Sequence, residues 1–278
     1  MKSKFSALIV IVLIILSFNS CEKNEIVQAP TIPPAETMVI DFGKLANANK
    51  SAPIAENDLV TKTNWLFAAS TVGIWNIIIG TTFAVPVAAF KASFSQIPSK
   101  INNTWEWKYS VDGFTSQYSA RLVGTLQTSQ VKWEMYISKT GVDSFEEFLW
   151  FEGTSALDGK SGQWILYHSA DFPEKTVQID WQKEGDKIGN VKYSYVRDLN
   201  NERQSDNFNG SYLIYGLQDQ TFDAFVTVHA YNFQTENFTD TSIEWSRSDF
   251  SGHVKAEQYF NDTAWHCWDS AGNDIDCN

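Results

Sequence analysis

The chain has 278 residues, a formal net charge of −12 and 14% aromatic residues, including 11 Trp and 10 Tyr. That acidity argues against nucleic acid and anionic lipid headgroups as partners, because both attract cationic surfaces. The aromatic content argues against disorder, since those rings can build a core.

Lys2 and Lys4 open the chain, and an apolar run from Ala7 to Leu16 follows. The run is too short to span a bilayer, which takes about 20 apolar residues, and has the length of a secretory signal core. Ser17, Phe18, Asn19, Ser20 and Cys21 close it. This segment resembles the lipobox of bacterial lipoproteins: Ser20 fits the small residue before the cysteine, whereas Phe18 and Asn19 depart from the usual Leu-Ala/Ser pattern. The resemblance implies a signal peptide over residues 1–20 and a Cys21 carrying diacylglycerol and an acylated, palmitate-type amine. Two or three acyl chains make a lasting membrane anchor. Glu22, not Asp, follows Cys21, so the inner-membrane retention signal is missing and the outer membrane is the expected address. Glu22, Lys23, Asn24 and Glu25 are similar to the export tag of surface-exposed lipoproteins and equally suit a solvated linker. The alternative is an ordinary secretory signal cut after Ser20, leaving Cys21 as a thiol.

With Cys21 taken by lipid, Cys267 and Cys277 remain as an even pair in an oxidising compartment. Their bridge would close a short C-terminal loop and contribute about 2–3 kcal/mol.

Residues 21–58 contain Pro30, Pro33, Pro34 and Pro53 and read as a flexible tether. Inside it, Thr37 to Phe42 is apolar enough to be a short strand or a clip docked on the domain. Residues 59–278 are expected to form a single β-rich domain, led by a helical segment over 59–98. No charged residue stands between Lys62 and Lys91. This permits either a membrane span or two buried helices, roughly 59–79 and 84–96, broken near Gly80 and Pro86. Proline suits the first turn of the second helix, and Ser70, Thr71, Gly73 and Asn76 dilute the apolar surface, which favours buried helices.

From Thr104 the period changes to two, as in Trp105, Trp107, Tyr109 and Val111, the pattern of strands with one wet face. Similar segments recur at 118–127, 131–138, 145–153, 162–168, 176–184, 188–197, 211–217, 222–231, 242–247, 253–260 and 264–268. Turn signals such as Asp158-Gly159 and Gly185-Asp186 separate them. Links this short require antiparallel pairing. The expected fold over 104–278 is therefore mainly β. It is an antiparallel up-and-down meander of about 12 strands, an open half-barrel or a barrel, with the apolar helices on its concave face. This architecture resembles the half-barrel of lipid-carrier lipoproteins, a likeness that implies an apolar cavity under a helical lid.

Chemistry-bearing motifs are sparse. No G-x-S-x-G occurs, and Gly159, Lys160 and Ser161 lack the upstream glycine of a phosphate loop. His168, His229, His253 and His266 are scattered singly. Glu146, Glu147 and Glu152 beside aromatics contain the ingredients of a carboxylate pair, but acidic residues are cheap coincidences in so acidic a chain. Asp269, Asn273, Asp274 and Asp276 offer oxygen ligands for Ca²⁺ without EF-hand spacing, and a hairpin turn explains them as well. We therefore expect no enzyme activity and no cofactor. The leading expectation is a lipoprotein binding a lipid or other apolar small molecule, with Trp105, Trp107, Trp133, Trp150, Trp181 and Trp245 as candidate lining residues. The alternatives are a structural or interaction protein of the envelope, with protein partners unspecified, and a glycan-binding or glycan-active surface protein. The direction in which the tryptophans point discriminates among them.

Overall fold

Strict alternation of inward apolar and outward polar side chains builds the sheet. In the strand Gln130–Thr140, Val131, Trp133, Met135 and Ile137 are buried while the residues between them reach toward solvent. The computed structural model describes residues 28–39, 45, 61–111 and 116–277. The expected signal peptide, Cys21 and most of the tether lie outside the described residues.

Among the described residues fourteen strands form one sheet in which each pairs antiparallel with the next: β1 (Ser99–Ile101), β2 (Thr104–Val111), β3 (Gln117–Leu126), β4 (Gln130–Thr140), β5 (Phe145–Ala156), β6 (Ser161–Tyr167) and β7 (Lys175–Glu184). The second half continues through β8 (Lys187–Tyr195), β9 (Tyr212–Leu217), β10 (Ala224–Asn232), β11 (Asn237–Trp245), β12 (Gly252–Lys255), β13 (His266–Trp268) and β14 (Asp274–Ile275). The sheet is open: β1 and β14 stand at its two edges and do not pair with each other. β1 and β14 are additions to the expected strands, too short to show a period of two. The strand expected over 253–260 divides. β12 ends at Lys255, and a single helical turn, α3 (Glu257–Phe260), takes the rest, stopped by Asn261 in the left-handed region (φ 61). Tertiary contact overrides the alternation there, because Tyr259 and Phe260 turn back to meet the Phe67 ring.

One face of the sheet carries the large rings, and four glycines make them fit. In register, Gly124 lies between Trp105 and Trp133, and Gly153 between Trp133 and Trp164. Gly162 faces Trp181, and Gly252 lies between Trp245 and Trp268. Each glycine is a flat seat for a neighbouring indole: a Cβ at Gly153 would collide with the Trp164 ring, and one at Gly162 with the Trp181 ring. Burying an indole removes on the order of 200 Å² from water, roughly 5 kcal/mol at 25 cal/mol per Å². These seats therefore carry much of the fold's stability.

Among the described residues two helices of ten residues or more precede the sheet, α1 (Thr63–Thr82) and α2 (Ala84–Ser93). Each buries a stripe at helical spacing: Trp65, Ala68, Ala69 and Val72 on α1, and Pro86, Ala89, Phe90 and Ser93 on α2. α2 lies against β2, β3 and β4. There the Tyr109 hydroxyl donates to the Ala89 carbonyl at 2.6 Å, and Phe90 meets Phe151 and Trp164 edge-on. α1 lies against β12, β13 and β14. Among the described residues no helix is long and apolar enough to cross a membrane.

The described part of the proline-bearing segment packs on the sheet. Ala35–Thr37 forms a 3-10 turn, Thr37 and Met38 are fully buried, and the Trp164 indole donates to the Thr37 hydroxyl at 3.0 Å. Of the segment Thr37 to Phe42, expected to be a short strand or a docked clip, residues 37–39 belong to this packed turn, and residues 40–42 lie outside the described residues.

Candidate functional site

The six candidate tryptophans do not gather around a void. Trp107, Trp133, Trp150, Trp181 and Trp245 are buried in the packed face and Trp105 is partly buried against it. Trp107 and Trp133 tilt against each other at 5.8 Å, and Trp133 donates to the Ser155 hydroxyl at 2.9 Å. Trp150 sits where the β4–β5 register shifts, edge-on to Phe145 and Phe148. These rings are core.

A cavity of about 480 Å³ lies elsewhere, at the α1–α2 junction over one end of β7–β10. Trp75 and Phe83 come from the helix side, Phe208 from the β8–β9 loop, and Val177, Tyr195, Ser211 and Ala230 from the sheet. The last four are cross-strand neighbours on one face, since Val177 pairs with Tyr195 and the Tyr195 amide donates to the Ser211 carbonyl. The alternation that buries the core thus also points these side chains at the cavity. Its wall is mainly apolar and aromatic, with a few polar groups at fixed places, the usual composition of a small-molecule site.

A charged cluster stands behind two of those polar groups, Tyr195 and His168. Tyr195 donates to Asp206 at 2.8 Å, and burial together with that bond pushes its hydroxyl up to about 12. His168 has Nδ1 3.2 Å from the Ser169 hydroxyl. Burial is the main cause, and nearby Arg197 a further one, that holds His168 below the ordinary imidazole value, against the opposing pull of Glu174 and Asp206. Arg197 is itself 5% exposed, with Nη2 2.5 Å from Asn201 Oδ1 and 3.9 Å from Glu174. Arg203 also reaches Glu174. His168 and Tyr195, two titratable groups on the wall, are thus kept neutral at pH 7, a surface suited to an uncharged or apolar ligand.

The C-terminal oxygen ligands are engaged within the fold. Asp269 accepts from the backbone of Ala271 and Asn273, each at 2.9 Å, forming the β13–β14 turn. Asp274 accepts from the amides of Asn64 at 2.9 Å and Thr63 at 3.1 Å, capping α1 from the far end of the chain. Asp276 is exposed. Among the described residues no group of three or more His, Cys, Asp or Glu is placed to hold a metal. Cys267 and Cys277 stand at bonding distance, 2.09 Å between sulfurs. The three glutamates scatter: Glu147 pairs with Arg121, Glu152 accepts from Tyr167 at 2.7 Å, and Glu146 is exposed.

The cavity residues were not singled out by sequence. Two signals could have found them: the helix break expected near Gly80 and Pro86, and the charged residues Arg197, Asp198, Glu202, Arg203 and Asp206 gathered before Phe208 in the connection between β8 and β9. Compared with protein-family models, curated proteins and solved structures, the chain matches none.

Proposed function

We propose that this chain is an exported lipoprotein, anchored through Cys21 to the outer membrane, that holds an apolar small molecule in the cavity between α1, α2 and β7–β10. The observation that carries this reading is the cavity itself, about 480 Å³ walled by Trp75, Phe83, Tyr195, Phe208 and Tyr231. On this reading the sheet is curved and the two helices lie on its concave side as a lid over one end. The neutral His168 and Tyr195 fix the orientation of the ligand's polar end without attracting a charged one. The membrane address rests on the lysines, the apolar run and the lipobox-like end of residues 1–21. An anchored carrier of this kind takes its ligand from, or delivers it to, the adjacent bilayer.

The test uses 1-N-phenylnaphthylamine, a neutral apolar fluorophore, titrated against the full chain. We expect saturable one-to-one enhancement, weakened at least tenfold by Thr82→Trp. Thr82 is exposed at the cavity mouth, so the new indole closes the entrance without entering the core. Absence of saturable binding, or binding indifferent to Thr82→Trp, would overturn the assignment.

A further inference from the structure

The outer face of β8–β11 carries a column of stacked groups that none of the roles above uses. Lys192 lies over the Tyr212 ring at 4.7 Å, Tyr212 stacks on His229 at 5.0 Å, and His229 stacks on Phe238 at 4.7 Å with planes 3° apart. Strand register produces the column: Tyr212 is opposite His229, and Phe238 lies diagonally across from it on β11. A hydrogen bond of 2.7 Å between His229 Nδ1 and Asp240 sets the imidazole plane, and Tyr231 meets Phe238 edge-on. In such a column every inner ring has both faces covered. Phe238, the terminal ring, is 39% exposed and forms one wall of an open groove of about 640 Å³.

The remainder of that groove is polar. Asp240 comes from β11, Lys255 from β12, and Glu257, Gln258 and Asn261 from the α3 turn. Among the described residues the side chains of Lys255, Glu257 and Asn261 make no hydrogen bond or ion pair, so their donors and acceptors face the groove's solvent. None of the groove residues lines the apolar cavity.

We propose that this groove binds a neutral carbohydrate chain, with Phe238 as the stacking platform. A pyranose has one face of C–H bonds and a rim of hydroxyls. The C–H face carries partial positive charge and suits the negative face of an aromatic ring. The hydroxyls both donate and accept, so they need the mixture of carboxylate, amide and ammonium found here. A lipid would leave most of this wall unpaired. A polyanion would meet two carboxylates in the groove and a net charge of −12 on the chain. The column supplies rigidity: Phe238 is braced from behind, so little side-chain freedom is lost on stacking.

Saturation-transfer difference NMR of the full chain with neutral hexasaccharides of α-glucan, β-glucan, β-mannan and β-xylan tests this. For at least one class, transfer should concentrate on the ring C–H protons and fall at least tenfold in Phe238→Ala. Gln258→Ala, on the exposed turn, should weaken it several-fold while leaving the melting temperature unchanged, which covers the case of a poorly folded Phe238 variant. Gln258→Ala should leave phenylnaphthylamine binding unchanged. No transfer to any of the four, or transfer unchanged in both variants, overturns the proposal.

Discussion

At the level of single residues, the tryptophan-bearing face works because glycines alternate with indoles across strands. Gly153 is the tightest seat, with the Gln163 carbonyl and the Trp164 ring both occupying the space a Cβ would need. Gly153→Ala should therefore destabilise the protein by about 1–3 kcal/mol, the usual cost of overpacking a closed core. Gly73, in the middle of α1, has nothing within 4 Å of a Cβ. Gly73→Ala should instead stabilise by roughly 0.5–1 kcal/mol through helix propensity. Urea unfolding of the two variants measures both, and equal effects would show that close approach is not what Gly153 provides. The glycines were visible in the sequence but their role was not, because a seat exists only when register brings a ring from the next strand over it.

At the level of elements, α1 is fastened at its N-terminus by the last strand of the sheet. A helix begins with amide donors that have no partner within it. Asp274 accepts from two of them, at Thr63 and Asn64, while Asn64 Nδ2 donates to the Cys267 carbonyl at 2.9 Å. The Cys267–Cys277 bond ties β13 to the residues just past β14, and so holds Asp274 in place. Phe67 stacks on Tyr259 at 3.9 Å, making a second attachment one turn further along. Asp274→Ala should cost about 1 kcal/mol, as for other lost caps, and should speed amide hydrogen exchange in the first turn of α1. Asp274→Asn, which keeps an acceptor, should recover most of the loss. In the sequence this aspartate suits a turn or a Ca²⁺ site, and nothing local hints at a partner 210 residues away.

Across the whole molecule, neutral histidines make stability depend on pH. His168 is held below its ordinary value by burial and Arg197, and His253 by burial, in part against its hydrogen bond with Glu244. A fold that keeps a histidine neutral binds fewer protons than the unfolded chain. Its contribution is complete above the unfolded value near 6.5 and is lost as pH falls through that value toward the lower folded one. Asp223, Asp249, Asp262 and Asp269, all held below the ordinary carboxylate range by their hydrogen bonds, act lower, as pH falls through about 4. Between pH 7.5 and 5.5 the urea midpoint should therefore fall, and His168→Gln should fall less steeply than the unchanged chain. Parallel slopes for the two would remove His168 from this account.

Local order was legible because it is written in local chemistry. Trp105, Trp107, Tyr109 and Val111 announce a strand wherever they occur, and paired turn residues with short links leave antiparallel meandering as the available topology. The uncharged stretch between Lys62 and Lys91, interrupted near Gly80 and Pro86, likewise reads as two helices. Whether the sheet closes, which rings meet which glycines, and where a hollow remains depend on contacts between residues far apart in the chain. The cavity joins Trp75, Val177, Tyr195 and Ala230, and the stacked column joins Tyr212, His229 and Phe238. Sequence alone thus determined most of the elements and their order, because propensity and alternation are short-range. The tertiary structure decided the sites, because a wall or a stack exists only once register and packing bring its distant parts together.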